Sequence, residues 1–449
     1  MLLVNPLSQV ATIASHETLI TITGTNPMRM SKRDFLAFSG VSAGAVAVGA
    51  WSPPAFSAPP AKLDSITGDV VPISVEERLA RIAKAQRLMA ENNIDAILLE
   101  PGSAMLYFSG VSWWRSERLT TVIIPREGDI GIVTPFFEEP SVRESMTFGD
   151  DVRTWNEHEN PFERVAGFLK DRKLNRGRIG LEESVRYFVV DGLNSAAPSF
   201  EITTATPVTQ GCRMYKSAAE ITLMRKATKV TLTAYQHVYK HLEAGMEPGD
   251  VKALMAAAQS QLGGVGSWNM ALFGVASAYP HGTSQPQKIE EGQIVLMDCG
   301  CSVEGYQSDV SRTFVYGEPT ARQREVWDTV RKGQQIAFET AQIGVAAGAV
   351  DDAVRAYYES LGWGPKYKVP GLSHRTGHGI GMDGHERVNF VHGEKTPLAA
   401  GMCFSNEPGL YDFDSFGVRL EDCLYMTESG PAWFSVPPDS LDDPVGRMG

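Results

Sequence analysis

An internal repeat constrains this chain more than any other feature. Residues 218–243 carry apolar side chains at helical spacing, and the stretch ends at Gly245-Met246-Glu247-Pro248-Gly249. A second helical stretch, 250–262, follows. The arrangement recurs 99 residues later, with Gly245 matching Gly344, Gly249 matching Gly348, Val251 matching Val350, Leu262 matching Leu361 and Gly263 matching Gly362. In each copy, helix, glycine break and helix precede a segment with histidine and then a strand with a carboxylate. The pattern predicts a duplicated α/β half joined into one domain about a pseudo-two-fold. A site at the seam would draw ligands from both halves.

The chemistry-bearing residues follow the repeat. In the first half, residues 293–314 read QIVLMDCGCSVEGYQSDVSRTF. This spacing predicts a strand ending at Asp298, a turn-rich loop around Gly300 and Gly305, and a second strand carrying Asp309. Antiparallel partners can aim both carboxylates at one point. Charges at the ends of apolar runs need compensation, which a divalent cation supplies; two solvated carboxylates flanking a loop is the alternative. His281 lies just upstream, in AYPHG. The second half offers His374, His378 and His385 in GLSHRTGHGIGMDGHE, Glu407 in GMCFSNEPGLY and Glu421 in GVRLED. Arg419 stands two residues before Glu421, on the same strand face, so Asp422 should face away and be structural. Asp383 lies among glycines, where contact with a substrate is open to it.

Composition narrows the classes. The 449 residues, 43% apolar and 21% charged, allow two domains with a sizeable core. A net charge of −12 without a basic stripe argues against a nucleic-acid partner. Residues 73–208 alternate helix and strand signals, as an α/β layered domain does, and contain no GxGxxG or P-loop. Trp113, Trp114 and Arg115 follow Gly110; local packing is the preferred reading over a substrate entrance. The five cysteines include no CxxC and are read as small apolar fillers. Residues 28–61 have a basic start, a Gly/Ala-rich apolar stretch and a Pro/small-residue end, the layout of a secretory signal too short for a membrane span. An uncleaved tail is the alternative. SKRDFL resembles the twin-arginine motif with Lys32 in place of the first arginine, so residues 1–61 are expected to be a targeting segment leading to the periplasm. Translation is expected to start at Met28 or Met30, and Ala55-Phe56-Ser57 is a candidate cleavage site.

From about residue 212 onward the chain resembles the pita-bread metallopeptidases: methionine aminopeptidase, aminopeptidase P and prolidase. Residues 73–208 resemble the N-terminal domain that aminopeptidase P, prolidase and creatinase add. The resemblance rests on Asp298 and Asp309 eleven apart, His378 in TGHGIG, Glu407 in NEPG and Glu421 in RLED. It implies an α+β fold, with a pita-bread catalytic domain over residues 212–449. It also implies two divalent ions held by Asp298, Asp309, His378, Glu407 and Glu421. Four carboxylates and one imidazole suit Mn²⁺ first, with Co²⁺, Fe²⁺ or Zn²⁺ as alternatives. By the same resemblance Asp309 and Glu421 bridge the ions and Glu407 shuttles a proton for a bridging water. His281 and His385 meet the scissile amide or its tetrahedral intermediate, His374 lines a proline pocket, and Arg419 steadies the ligating carboxylates. The implied activity is cleavage of Xaa-Pro bonds in small proline-containing peptides by a homodimer or larger homo-oligomer. The rival is a metal-dependent lyase acting on a small sulfonium substrate, for which Trp113 and Trp114 would form an aromatic box.

Overall fold

The computed structural model describes residues 62–448. The expected targeting segment, residues 1–61, lies outside the described residues.

The amino-terminal part is a six-stranded sheet with helices on both faces. Its strands are β1 (Ala96–Leu99), β2 (Thr121–Pro125), β3 (Gly131–Pro135), β4 (Val152–Trp155), β5 (Gly177–Leu181) and β6 (Phe200–Thr204), in spatial order β4-β3-β2-β1-β5-β6. Strand alternation explains the layering. Ile97 and Leu99 of β1 pack with Ile82, Ala85 and Met89 of helix Val75–Glu91. Ala96 and Leu98 face the opposite cluster, with Phe168 of helix Pro161–Asp171 and Leu193 of helix Tyr187–Ala196. The first cluster runs without a break into the core of the carboxy-terminal part. The alternating helix and strand signals recovered most of these elements; they missed β4 and the short helices Ser103–Ser109, Glu139–Ser145 and Thr206–Arg213, which have too few turns for a periodic signal.

The repeat is visible in three dimensions. Helices Pro248–Gln261 and Ala347–Ser360 are both 14 residues long and begin 99 positions apart. Gly245 and Gly344 both have positive φ (+87° and +82°), as do Gly263 and Gly362 (+98° and +89°), so glycine is needed at each break and each helix end. The partner helices, Ala218–Tyr239 and Ala321–Thr340, each open on a capping box, Ser217/Glu220 and Thr320/Gln323.

In the first half, β7 (Val265–Phe273), β8 (Gln293–Val303), β9 (Tyr306–Gln307) and β10 (Val310–Tyr316) form an antiparallel sheet in which β8 pairs with all three others. Here the structure corrects the sequence. β8 does not end at Asp298 but runs on to Val303, and only Glu304-Gly305 makes the turn. Gly300 is therefore a strand residue. A Cβ there would lie 2.2 Å from the Ser308 carbonyl oxygen and 2.5 Å from the Trp268 indole nitrogen, so its role is close approach, not turning. In the second half, β11 (Gly377–Gly379), β12 (Glu386–Phe390), β13 (Cys403–Asn406), β16 (Asp422–Thr427) and β17 (Gly430–Trp433) form a sheet of order β12-β11-β13-β16-β17. The hairpin β14 (Gly409–Tyr411) and β15 (Gly417–Arg419) stands beside it. Arg419 and Glu421 do not share one strand, since β15 ends at Arg419 and β16 begins at Asp422.

Candidate metal centre

The hairpin β8–β10 sets the first two carboxylates. Asp298 lies opposite Ser311 across the ladder, and Asp309 lies in the unpaired link between β9 and β10, one residue before the ladder begins. The second half brings its groups from three places. His378 sits in the middle of β11, Glu407 directly follows β13, and Glu421 occupies the link between β15 and β16. The Glu421 N–H donates to the Ser311 carbonyl at 3.1 Å, tying that link to the first-half strand.

These groups converge. Donor atoms of Asp309, His378 and Glu421 all lie within 4.8 Å of one another, and all three residues are buried. His378 Nε2 stands 3.7 Å from Asp309 Oδ2 and 3.3 Å from Glu407 Oε1. Asp298 joins through Arg419, whose Nη2 donates to Asp298 Oδ2 at 2.6 Å. Arg419 Nε also donates to Ser311 Oγ, which in turn donates to Glu421 Oε2 at 2.8 Å. Ser311 was missed by sequence reasoning, because a lone serine on a strand carries no signal.

Electrostatics explains what the cluster is for. Burial pushes the Asp309 and Glu421 carboxyls well above the usual carboxylate range, and neighbouring carboxylates push them further. Burial lifts Glu407 to about 7, although Arg419 pulls it down. Such a cluster is costly without a counter-charge. The residues also leave oxygens for one: Asp298 Oδ1, Asp309 Oδ1 and Glu421 Oε1 are buried without a hydrogen-bond partner among the described residues. The His378 ring completes the fit. Its Nδ1 lies 3.0 Å from the Gly379 carbonyl, which can only accept, so Nδ1 carries the proton and Nε2 presents a lone pair to the carboxylates. Burial drives its pKa well below the usual histidine value, so the ring is neutral. Four carboxylates and a neutral imidazole around orphaned oxygens fit hard divalent cations.

All nine residues singled out from sequence line one cavity of about 790 Å³: Asp298, Asp309, His378, Glu407, Glu421, His281, His374, His385 and Arg419. His374 is fixed by a chain of bonds. Arg419 Nη1 donates to the Tyr411 hydroxyl, that hydroxyl lies 2.7 Å from His374 Nε2, and His374 Nδ1 donates to the Arg375 carbonyl. Burial lowers the His374 pKa to about 3, so it stays neutral. The His378 and His385 rings meet edge to face, with centroids 4.1 Å apart. Trp268, Asn269, Met270 and Arg375 complete much of the wall and were not found from sequence, since nothing local distinguishes them. Asp422 turns away and pairs with buried Arg312 at 2.7 Å. Asp383 does not line this cavity; it bonds Ser103 and Arg213. Trp113 and Trp114 stack on each other, centroids 4.5 Å apart, and neither lines the cavity. All five cysteines are free and buried.

Comparison with known proteins identifies the family and the fold. The profile of metallopeptidase family M24 matches residues 222–428, and that of the creatinase/prolidase N-terminal domain matches 81–215. The crystal structure of dipeptidase PepE from Mycobacterium ulcerans is 30% identical, covers 83% of this chain and 99% of its own, and superposes with a TM-score of 0.76. The chain belongs to metallopeptidase family M24. This M24 enzyme is also similar to an Xaa-Pro dipeptidase of Lactobacillus delbrueckii subsp. lactis, 29% identical over 357 residues, covering 77% of this chain and 94% of the relative. A recombinant prolidase from Thermococcus sibiricus superposes with a TM-score of 0.73 at 26% identity, covering 80% of this chain and 96% of that one. The M24 metallopeptidase therefore has the pita-bread fold preceded by a creatinase-type domain, and family membership implies divalent metal ions.

Proposed function

We propose that this metallopeptidase hydrolyses the bond before proline in small peptides, using two divalent ions, with Mn²⁺ the first choice. The observation that carries the reading is the buried cage itself: four carboxylates and one neutral imidazole, with three carboxylate oxygens left without hydrogen bonds. When bound there, such ions lower the pKa of a water and polarise a carbonyl.

The chain's own residues divide the remaining work. Glu407 accepts the proton of the attacking water and delivers it to the departing proline nitrogen. His385 and His281, on the same cavity, hydrogen-bond the scissile carbonyl as it becomes tetrahedral. Neutral His374, held by Tyr411, gives the proline ring a wall that carries no charge. Arg419 holds Asp298 and, through Ser311, Glu421 in the orientation the ions need. A sulfonium lyase would need aromatic walls around its cation. Among the described residues the cavity lining holds only Trp268 of that residue type, so the peptidase is favoured. We also propose export, on the signal-like layout of residues 28–61 alone.

The test is hydrolysis of Ala-Pro, Gly-Pro, a longer Xaa-Pro peptide, Ala-Ala and dimethylsulfoniopropionate by Mn²⁺-loaded protein. Cleavage confined to Xaa-Pro members, abolished in Asp309→Ala and by chelation, is expected. Silence on every peptide with metal measurably bound would overturn the reading.

A further inference from the structure

His385 stands on the tip between β11 and β12, and the next residue, Glu386, is buried and acts as the anchor of that tip. Glu386 Oε1 accepts from the backbone N–H groups of Met382 (3.0 Å) and Asp383 (3.3 Å), closing the loop on itself. Two cations from the segment joining the two parts of the chain then seize the carboxylate. Arg213 Nη2 donates to Oε1, and Lys216 Nζ donates to Oε2 at 2.8 Å. Arg213, Lys216 and Glu386 are all buried, so this is a desolvated charge cluster whose geometry is closely constrained.

A second contact reaches the amino-terminal part. Asp383 Oδ2 accepts from Ser103 Oγ and from Arg213 Nη2, each at 2.7 Å, and Arg213 Nη1 donates to Ser103 Oγ at 3.0 Å. Ser103 opens the short helix Ser103–Ser109 of the amino-terminal part. On the loop's other side, Gln307 N–H donates to the Gly381 carbonyl and its side-chain amide to the Met382 carbonyl. Gln307 is two residues from Asp309. Both the metal hairpin and the amino-terminal part therefore grip the loop that carries His385.

We propose that Arg213, Lys216 and Ser103 are positioning residues for His385: through Glu386 and Asp383 they hold its loop over the metal cage, so that the amino-terminal part completes the catalytic site. The inference rests on the peptidase reading only for what His385 does, not for how the loop is held. A misplacement of about 1 Å at a catalytic group is enough to cost orders of magnitude in rate. Glu386 cannot be removed without stranding two buried cations and costing stability, so it is a poor probe of catalysis. Asp383 is the better handle, because it is half exposed and its loss leaves the Glu386 cluster intact.

The experiment uses the full chain loaded with Mn²⁺ and compares Asp383→Ala, Ser103→Ala, His385→Ala and the double variant Asp383→Ala/His385→Ala. Expected on an Xaa-Pro substrate is a fall in kcat of about tenfold for Asp383→Ala, with a smaller fall for Ser103→Ala. KM should move less than twofold and metal content should be unchanged. In the His385→Ala background, Asp383→Ala should cost less than a further twofold, because the two act through one group. Hydrogen exchange of residues 380–387, measured without substrate, should be faster in both single variants. Full additivity with His385→Ala, or an unchanged kcat, would overturn the positioning role, and so would unchanged exchange in the loop. If the parent enzyme cleaves no Xaa-Pro peptide, the peptidase reading fails while the exchange measurement still decides whether the amino-terminal part holds the loop.

Discussion

The two halves of the catalytic part share a helix pair and differ in how they hold their ligands. In the first half, Asp298 rides within β8 and Asp309 directly precedes β10, not on a strand as the sequence suggested; the ladder pairs seven residues of β10 with β8, and β7 pairs along the other edge. The long ladder makes that platform stiff, and side chains such as Tyr235, which donates to the Val310 carbonyl, and Gln259, which donates to the Gly300 carbonyl, reinforce it. In the second half, His378 rides on a three-residue strand with an irregular register, and Glu407 and Glu421 lie outside strands altogether. Side chains pin what the ladder cannot. Asp351, fully buried on helix Ala347–Ser360, accepts from Thr376 N–H and Oγ1, from the His392 N–H and from Arg355 Nε. Arg355 donates on to the carbonyls of Leu372 and His374. At the equivalent first-half positions, 99 residues earlier, stand Lys252 and Ala256. Duplication thus preserved the scaffold, while helix Ala347–Ser360 carries a buried ion pair that its first-half counterpart lacks.

That contrast can be broken most directly at the pair itself. Asp351→Ala strands Arg355 and frees the segment before His378; a loss of about 3–5 kcal/mol in urea unfolding is expected, together with weakened metal binding. Lys252→Ala, at the matching exposed site, should stay within about 0.5 kcal/mol. Equal effects at the two sites would dissolve the distinction.

A second test uses acid. Burial alone would raise the Glu386 pKa, but Lys216 and Arg213 more than offset it and hold the carboxyl at about 2, below its ordinary 4.5. A lowered folded-state pKa means stability that is present above about 4.5 and is lost as pH falls toward 2. The shift corresponds to roughly 3 kcal/mol. Glu386→Gln should therefore flatten the pH dependence of unfolding free energy across that window.

A third test sharpens what the halves share. Each places a glycine beside a ligand: Gly300 next to β8's Asp298 segment and Gly377 before His378. A Cβ at either would lie 2.2 Å from a backbone carbonyl oxygen, that of Ser308 or Ser405. Alanine at each should cost about 1–3 kcal/mol by calorimetry, similarly in both halves. The smallest effect belongs to the thiols. Burial raises the pKa of Cys299 and Cys301 in the first half and of Cys403 and Cys423 in the second. None should react with a thiol reagent in the native protein, and all should react in denaturant.

Much of the site was legible before any coordinates because its signals are local. Asp298, Asp309, His378, Glu407 and Glu421 sit in the short motifs that carry the resemblance to the pita-bread metallopeptidases, and four carboxylates with one imidazole suit hard cations. The glycines of the repeat announce themselves because only glycine takes the left-handed conformation cheaply. The sequence also determined the α/β character of both parts, through apolar periodicity. What escaped it depends on contacts between distant segments. That β8 continues through Gly300 follows from pairing with β7 and β9, not from the glycine's own preference. Ser311, Tyr411, Trp268 and Arg375 are ordinary residues until the fold carries them to the cavity. The tie from Ser103 through Asp383 spans 280 positions, and Arg213 to Glu386 spans 173. Side-chain partnerships at that separation leave no periodic trace, so only the tertiary structure decides that Glu386 is an anchor held by Arg213 and Lys216 and that Asp422's partner is Arg312.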